Sequence, residues 1–118
     1  MTNPQPAFQA RAFLDLASEL TRGRTEAHWR SAIGRAYYAV FLQARESLVA
    51  SGAILSTSSA GDHGLVIRAL RSDRRQVADR LNLLRRNRGR ADYELQARVT
   101  RREALSAVSL AERLFERI

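Results

Sequence analysis

The chain of 118 residues contains no cysteine. Disulfides, thiolate metal ligands and a thiol nucleophile are thereby excluded. Lysine is absent too, so all 20 basic residues are arginine. That removes Schiff-base chemistry and the phosphate-binding lysine of a P-loop. A GC-rich genome, in which arginine codons displace lysine codons, is sufficient cause for the bias. Only two prolines occur, Pro4 and Pro6, and both precede the first helical stripe. Apolar runs are only a few residues long, too short for a membrane-spanning helix. The N-terminal Met1-Thr-Asn-Pro-Gln-Pro6 has neither the basic region nor the apolar core of a secretory signal. A single domain over 1–118 in the cytoplasm, away from membranes, is the expectation. Such a length buries roughly two thirds of the unfolded surface in one core.

Metal-ligand patterns are sparse. His28 and His63 are the only histidines, far apart and outside any His-Glu-x-x-His spacing. No metal and no cofactor is expected. Ser56, Thr57, Ser58 and Ser59 have no neighbouring base and no nucleophile-elbow motif. What the chain has in excess is positive charge, a net +8. That favours an anionic partner such as nucleic acid or an acidic protein, although solvated arginine-rich helices carry the same charge without one.

The apolar spacing is helical nearly throughout. A first helix is predicted over 7–21, with Phe8, Ala12, Leu16 and Leu20 every four residues, joined by Phe13 and Ala17. Gly23 is placed as its C′ terminator. Thr25 is the predicted N-cap of a long second helix over 26–51, with Trp29, Ile33, Ala36, Tyr37, Val40, Phe41, Ala44 and Leu48 inward. Gly34 within it costs about 1 kcal/mol against Ala, which suggests close approach of another backbone. Residues 52–61 form the one real loop, small and polar, and its composition predicts mobility. Asp62 is expected to cap a third helix over 63–72, with Leu65, Val66, Ala69 and Leu70 inward. A fourth helix over 74–90 carries Val77, Leu81 and Leu84, and Gly89 is expected to end or bend it. Thr100-Arg-Arg-Glu103 is a capping box for a fifth helix, with Leu105, Val108, Ala111, Phe115 and Ile118 on its apolar face. With strand signals nearly absent, the fold class is all-α, an antiparallel four- to five-helix up-and-down bundle.

Two stretches put polar groups where an apolar stripe is running. On the fourth helix, steps of three or four from Leu81 and Leu84 lead to Arg88 and Ala91, so Arg88 faces the bundle or a dimer seam. Asp92, four residues on, is its natural ion-pair partner, with the Tyr93 hydroxyl beside them. Arg85 and Arg86 point toward solvent. On the second helix, Ser31, Arg35 and Tyr38 share one face, with Tyr37 on the apolar side. This strip is able to bond Asp92 and Arg88 across the bundle. Two readings stand side by side: a buried network of Ser31, Tyr37 and Asp92 that fixes helix register, and a groove in which guanidinium forks hold phosphate.

Arg35-Ala-Tyr37-Tyr38-Ala-Val-Phe41, then His63-Gly-Leu-Val66, then Arg88-Gly-Arg-Ala-Asp92-Tyr93 give the chain a family likeness. In that order it resembles the HEPN superfamily over about residues 10–117, closest to the small bacterial and archaeal branch. The resemblance implies a helical bundle, a homodimer with the motif arginines near its seam, and RNA as ligand. It further implies a metal-independent endoribonuclease, in many relatives a toxin paired with a nucleotidyltransferase-type antitoxin. By that likeness Arg88 and Tyr93 are the candidate catalytic residues, and Arg35, Tyr38, Arg86 and Arg90 the candidate nucleic-acid contacts. The family signature is Arg, four to six residues, then His. Here Tyr93 stands in the histidine's place, counted from Arg88 or from Arg86. A tyrosine of ordinary pKa near ~10 is a poor base at neutral pH. The alternative is therefore an inactive helical partner of a nucleotidyltransferase-type protein. The sequence does not place His63 near Arg88.

Overall fold

The computed structural model describes residues 7–55 and 62–118. Among these residues five helices make up a bundle: α1 (Arg11–Leu20), α2 (Glu26–Ala50), α3 (Asp62–Arg71), α4 (Arg75–Tyr93) and α5 (Arg101–Glu116). Among the described residues there is no strand, and none of the helices is long and apolar enough to cross a membrane. The expected mobility of 52–61, the serines at 56–59, the prolines and the Asp62 side chain fall wholly or largely outside the described residues.

Helix α2 is the axis of the fold, packing against each of the other four. Its centre explains why. Ala32, Ala36, Ala39 and Ala44 are fully buried between Ile33, Val40 and Leu48. Small side chains let neighbouring helices approach, and the larger ones fill the gaps between them. Val66 and Leu70 of α3, Leu81 and Leu84 of α4, and Leu114 of α5 complete the core. Each such side chain contributes roughly 1.5–3 kcal/mol through burial.

The caps at Thr25 and Thr100 form as expected, each hydroxyl accepting the backbone N–H three residues on (3.3 Å from His28, 3.2 Å from Glu103). Other expectations need correction. Helix α1 turns a different face inward: Leu14 and Ala17 are fully buried, while Leu16 and Phe8 are exposed. Two apolar stripes interleave there, and the one that meets α2 is the one buried. Gly23 is not a left-handed terminator, since Gly52 alone among the described residues has a positive φ. Gly23 is needed for space, because a Cβ there would lie 2.2 Å from the His28 ring. Its carbonyl accepts the Trp29 indole N–H at 3.0 Å. On α5, Leu105 faces solvent and Leu114 takes the inward place. Only half of the expected capping box forms, because the Glu103 carboxylate turns to Arg90 instead. Gly89 does not end α4, which runs on to Tyr93.

Candidate functional site

The extra turn of α4 carries the site, and Arg30 holds it. A helix leaves its last carbonyls without partners. The Arg30 guanidinium, anchored through Nε to Glu26 at 2.8 Å, donates from Nη1 to the Ala91 carbonyl at 2.8 Å. Both Nη atoms reach the Glu94 carbonyl at 3.2 Å, and Nη2 also donates to that of Ala97. One cation thus pins the end of α4 and the turn beyond it. Arg30 is not among the candidates that the sequence motifs single out. Its one signal is register: Arg30, Gly34, Tyr37 and Phe41 form a single stripe along α2 at helical spacing.

That stripe faces α4. A Cβ on Gly34 would lie 3.5 Å from Asp92 Oδ1, so the expected close approach at Gly34 is made by a carboxylate rather than a backbone. Asp92 Oδ2 in turn pairs with the Arg88 guanidinium, 2.9 Å from its Nε. Both side chains are about one-third exposed (35 %), at the edge of the core rather than within it. Arg88 Cζ also sits 5.7 Å from the centre of the Tyr93 ring, which is 71 % exposed. Arg88, Asp92 and Tyr93 therefore come together as one unit.

Further along the stripe, the buried Tyr37 hydroxyl hydrogen-bonds His63 Nδ1 at the start of α3. The imidazole lies flat against Phe41, ring centres 4.1 Å apart, and Tyr37 stacks on the other part of the same ladder. Burial pushes the Tyr37 hydroxyl up to about 12, while Arg85 and Arg88 are near enough to pull it partly back. The phenol therefore stays protonated. His63 is thus tied to the residue that Arg85 and Arg88 influence. No sequence pattern signals this pairing, since the partners lie on helices joined by the longest connection.

The other strip goes elsewhere. Among the described residues, no hydrogen bond or ion pair joins Ser31, Arg35 or Tyr38 to Arg88 or Asp92. Arg35 instead lies 5.2 Å from the ring centres of both Phe13 and Tyr38, and Tyr38 packs edge-on to Phe13. These residues fasten α2 to α1, about a third of a turn away from the Arg30–Phe41 stripe. Ser31 is exposed. Arg86 and Arg85 are exposed, as their positions suggested. Arg90 is set apart from Arg88, bonding Glu103 of α5 at 2.5 Å and the Arg98 carbonyl at 3.1 Å.

The site combines a guanidinium held by a carboxylate, a second exposed guanidinium at Arg85, a protonated phenol and an oriented imidazole. Such a set can bind a phosphodiester and move a proton. Among the described residues, no three His, Asp or Glu cluster closely enough to hold a metal ion. No curated protein and no solved structure matches the chain significantly. The family model for the HEPN domain matches residues 7–118, which include all five helices, and the chain belongs to the HEPN domain family.

Proposed function

We propose that this HEPN-domain protein binds RNA along the Arg85–Arg88 flank of α4 and cleaves it without a metal. The observation that supports this reading is the His63–Tyr37 hydrogen bond. It ties an imidazole from α3 to a phenol that feels the charges of Arg85 and Arg88, although the motif itself ends in Tyr93. Arg88 and Arg85 neutralise the phosphate, and Asp92 fixes the Arg88 fork. A ring that donates from Nδ1–H to the Tyr37 hydroxyl presents Nε2 as its basic nitrogen, as a general base requires. A ribose 2′ oxygen attacks phosphorus and gives its proton to His63 Nε2. The bond from phosphorus to the 5′ oxygen breaks, and that oxygen takes the Nε2 proton. The products are a 2′,3′-cyclic phosphate and a 5′-hydroxyl.

The dimer implied by the resemblance belongs to the same proposal. Tyr93, beside Arg88, and Leu95 in the turn beyond α4, 71 % and 85 % exposed, are the surface a second copy covers. Light scattering on the purified chain tests it, and a monomer at working concentration removes the seam. Cleavage is tested with EDTA present, comparing wild type, Arg88→Ala and His63→Ala. Equal cleavage by all three overturns the catalytic assignment. Unchanged RNA affinity between ~50 and ~200 mM salt overturns phosphate-driven binding.

One observation favours a second reading. The charge of Arg88 is already answered by Asp92 at 2.9 Å, as in a purely structural network. On that reading the protein is an inactive helical partner of a nucleotidyltransferase-type protein, within a toxin–antitoxin-type pair. Native co-purification distinguishes them: a chain recovered alone and cleaving RNA excludes this alternative.

A further inference from the structure

The flank of α4 opposite Arg88 is not sealed by α5. A pocket of about 370 Å³ opens between the two helices. Its floor is aliphatic: Ile33, Leu83, Ala107 and Leu110. Asn87, Arg102 and Ser106 stand at its rim. A second hollow of about 260 Å³ shares Leu110 and continues the depression past Arg80, Arg113 and Arg117. The two form one groove along α5. From Arg102 to Arg117 the helix rises about 22 Å, the length of roughly four helical turns. Leu83 stays exposed along it, at 41 %.

The charge of the rim says what fits. Arg80, Arg102, Arg113 and Arg117 form no ion pair among the described residues, and Arg113 donates only to the Ser109 hydroxyl. Against them stand Glu116 and Glu103, of which Glu103 is already engaged by Arg90. A second copy docked face to face would set these arginines against their own equivalents, since a twofold interface pairs a patch with itself. Single-stranded RNA would want aromatic rings for its bases, and this floor is aliphatic, walled in part by carboxylates. An aliphatic floor between rows of cations instead matches a helix with an apolar stripe and acidic shoulders.

We infer that the α4–α5 groove is a docking site for an acidic amphipathic helix of about four turns, presented by a partner protein. Leucine-sized side chains at i, i+3, i+4 and i+7 enter over Leu83 and Leu110. Flanking carboxylates meet Arg102 at one end and Arg113 and Arg117 at the other. The groove lies on the far side of α4 from the Arg88 flank, so occupation leaves that flank open.

The probe is a synthetic peptide of about 16 residues, with leucines at those positions and glutamates on both shoulders. A scrambled peptide of the same composition is the comparison, and a labelled oligouridylate is the third arm. Binding is followed by anisotropy, and its location by amide chemical shifts of the isotope-labelled full chain. The patterned peptide is expected to bind at least about tenfold tighter than the scrambled one, with shifts along Leu83–Arg90 and Arg102–Arg117. Arg102→Glu and Leu83→Asn, both on exposed side chains, each weaken it severalfold. Arg24→Glu, on the connection before α2, leaves it unchanged. Equal binding of the two peptides, or shifts centred elsewhere, overturns the proposal. So does an oligouridylate that displaces the peptide from the groove, or self-association that Leu83→Asn abolishes.

Discussion

Arg88 and Arg90 stand two residues apart on one helix, each bonded to a carboxylate, and they do different things. Two steps along a helix turn a side chain about 200° round the axis. Arg88 therefore meets the α2–α3 side, and Arg90 meets α5. The partner of Arg88 is Asp92, one turn along its own helix. That bond fixes a side chain and joins no two elements. The partner of Arg90 is Glu103, on the first turn of α5, and that bond ties two helices together. On the proposed function, the intrahelical pair serves a ligand. An interhelical pair is arranged for the fold.

The largest contrast expected is in RNA cleavage. His63→Ala should lower the rate by roughly 10²–10⁴, the range for losing a general acid–base group. Arg88→Ala should lower both cleavage and affinity and flatten the salt dependence by one phosphate contact. Arg90→Ala should change cleavage little. A metal-free cleavage assay with matched circular dichroism spectra checks all three. If Arg90→Ala is as inactive as Arg88→Ala while both remain folded, the division between the two flanks fails.

Arg30 comes next, because its guanidinium positions the Arg88–Tyr93 turn without joining it. Removing it leaves the Ala91, Glu94 and Ala97 carbonyls without that donor. Hydrogen bonds to charged groups contribute about 1.5–3 kcal/mol each, and part-exposed carbonyls recover some of that from water. Arg30→Ala should therefore cost about 2–3 kcal/mol in urea denaturation. Fraying should concentrate at 91–97, visible as faster amide exchange there. Uniform destabilisation with unchanged exchange in that turn would contradict the assigned role.

How far the sequence foretells this contrast depends on what sets each feature. The helices are legible because their burial repeats every three or four residues and because Thr25 and Thr100 carry cap chemistry in one side chain. The Arg88–Asp92 pair is legible for the same reason, being local to one helix. The Arg90–Glu103 bond is not, since Glu103 reads locally as part of a capping box and only α5's docking directs it to Arg90. The His63–Tyr37 bond joins α2 to α3 across the longest connection, and no local pattern encodes it. Gly89 reads as the end of α4 because local propensity penalises glycine, while Arg30, on another helix, stabilises the turn beyond it. Ser31, Arg35 and Tyr38 do share one face, as their spacing says, but which neighbour that face meets is settled by tertiary packing.

Tyr37 lends the ligand side a pH signature. Its pKa is raised above the ordinary value of 10 to about 12, chiefly by burial. The folded state therefore keeps the proton more tightly than the unfolded chain. This contribution to stability is complete below pH ~10 and is lost as pH climbs toward and through ~12. Tyr37→Phe should remove that part of the alkaline loss, so its melting temperature falls less steeply than wild type above pH ~10. Parallel alkaline curves for the two proteins would show that the phenol does not titrate as its burial dictates.

Gly34 measures how tightly the same side is packed. An alanine Cβ would lie in ordinary van der Waals contact with Asp92 Oδ1 at 3.5 Å. The helix propensity gain of up to ~1 kcal/mol should therefore appear as added stability in Gly34→Ala. Gly34→Leu should reverse the sign by displacing the carboxylate, freeing Arg88. Destabilisation by alanine would mean the approach of Asp92 is closer than ordinary contact.

The smallest effect concerns Arg90 itself. Its bond to Glu103 is short, but both side chains are about 40 % exposed, and water screens such a pair. A double-mutant cycle of Arg90→Ala and Glu103→Ala should give a coupling of about 0.5 kcal/mol. The Glu103 N–H keeps its bond to the Thr100 hydroxyl in either variant, so the cap does not confound the cycle. The corresponding cycle for Arg88 and Asp92 should give a stability coupling of similar size, within about 0.3–0.5 kcal/mol for an i,i+4 pair. The two pairs then differ in what they do to RNA and scarcely at all in what they do to folding. A coupling several times larger for Arg88–Asp92 would place that pair among the groups that hold the bundle together, and would favour the structural reading of the whole flank.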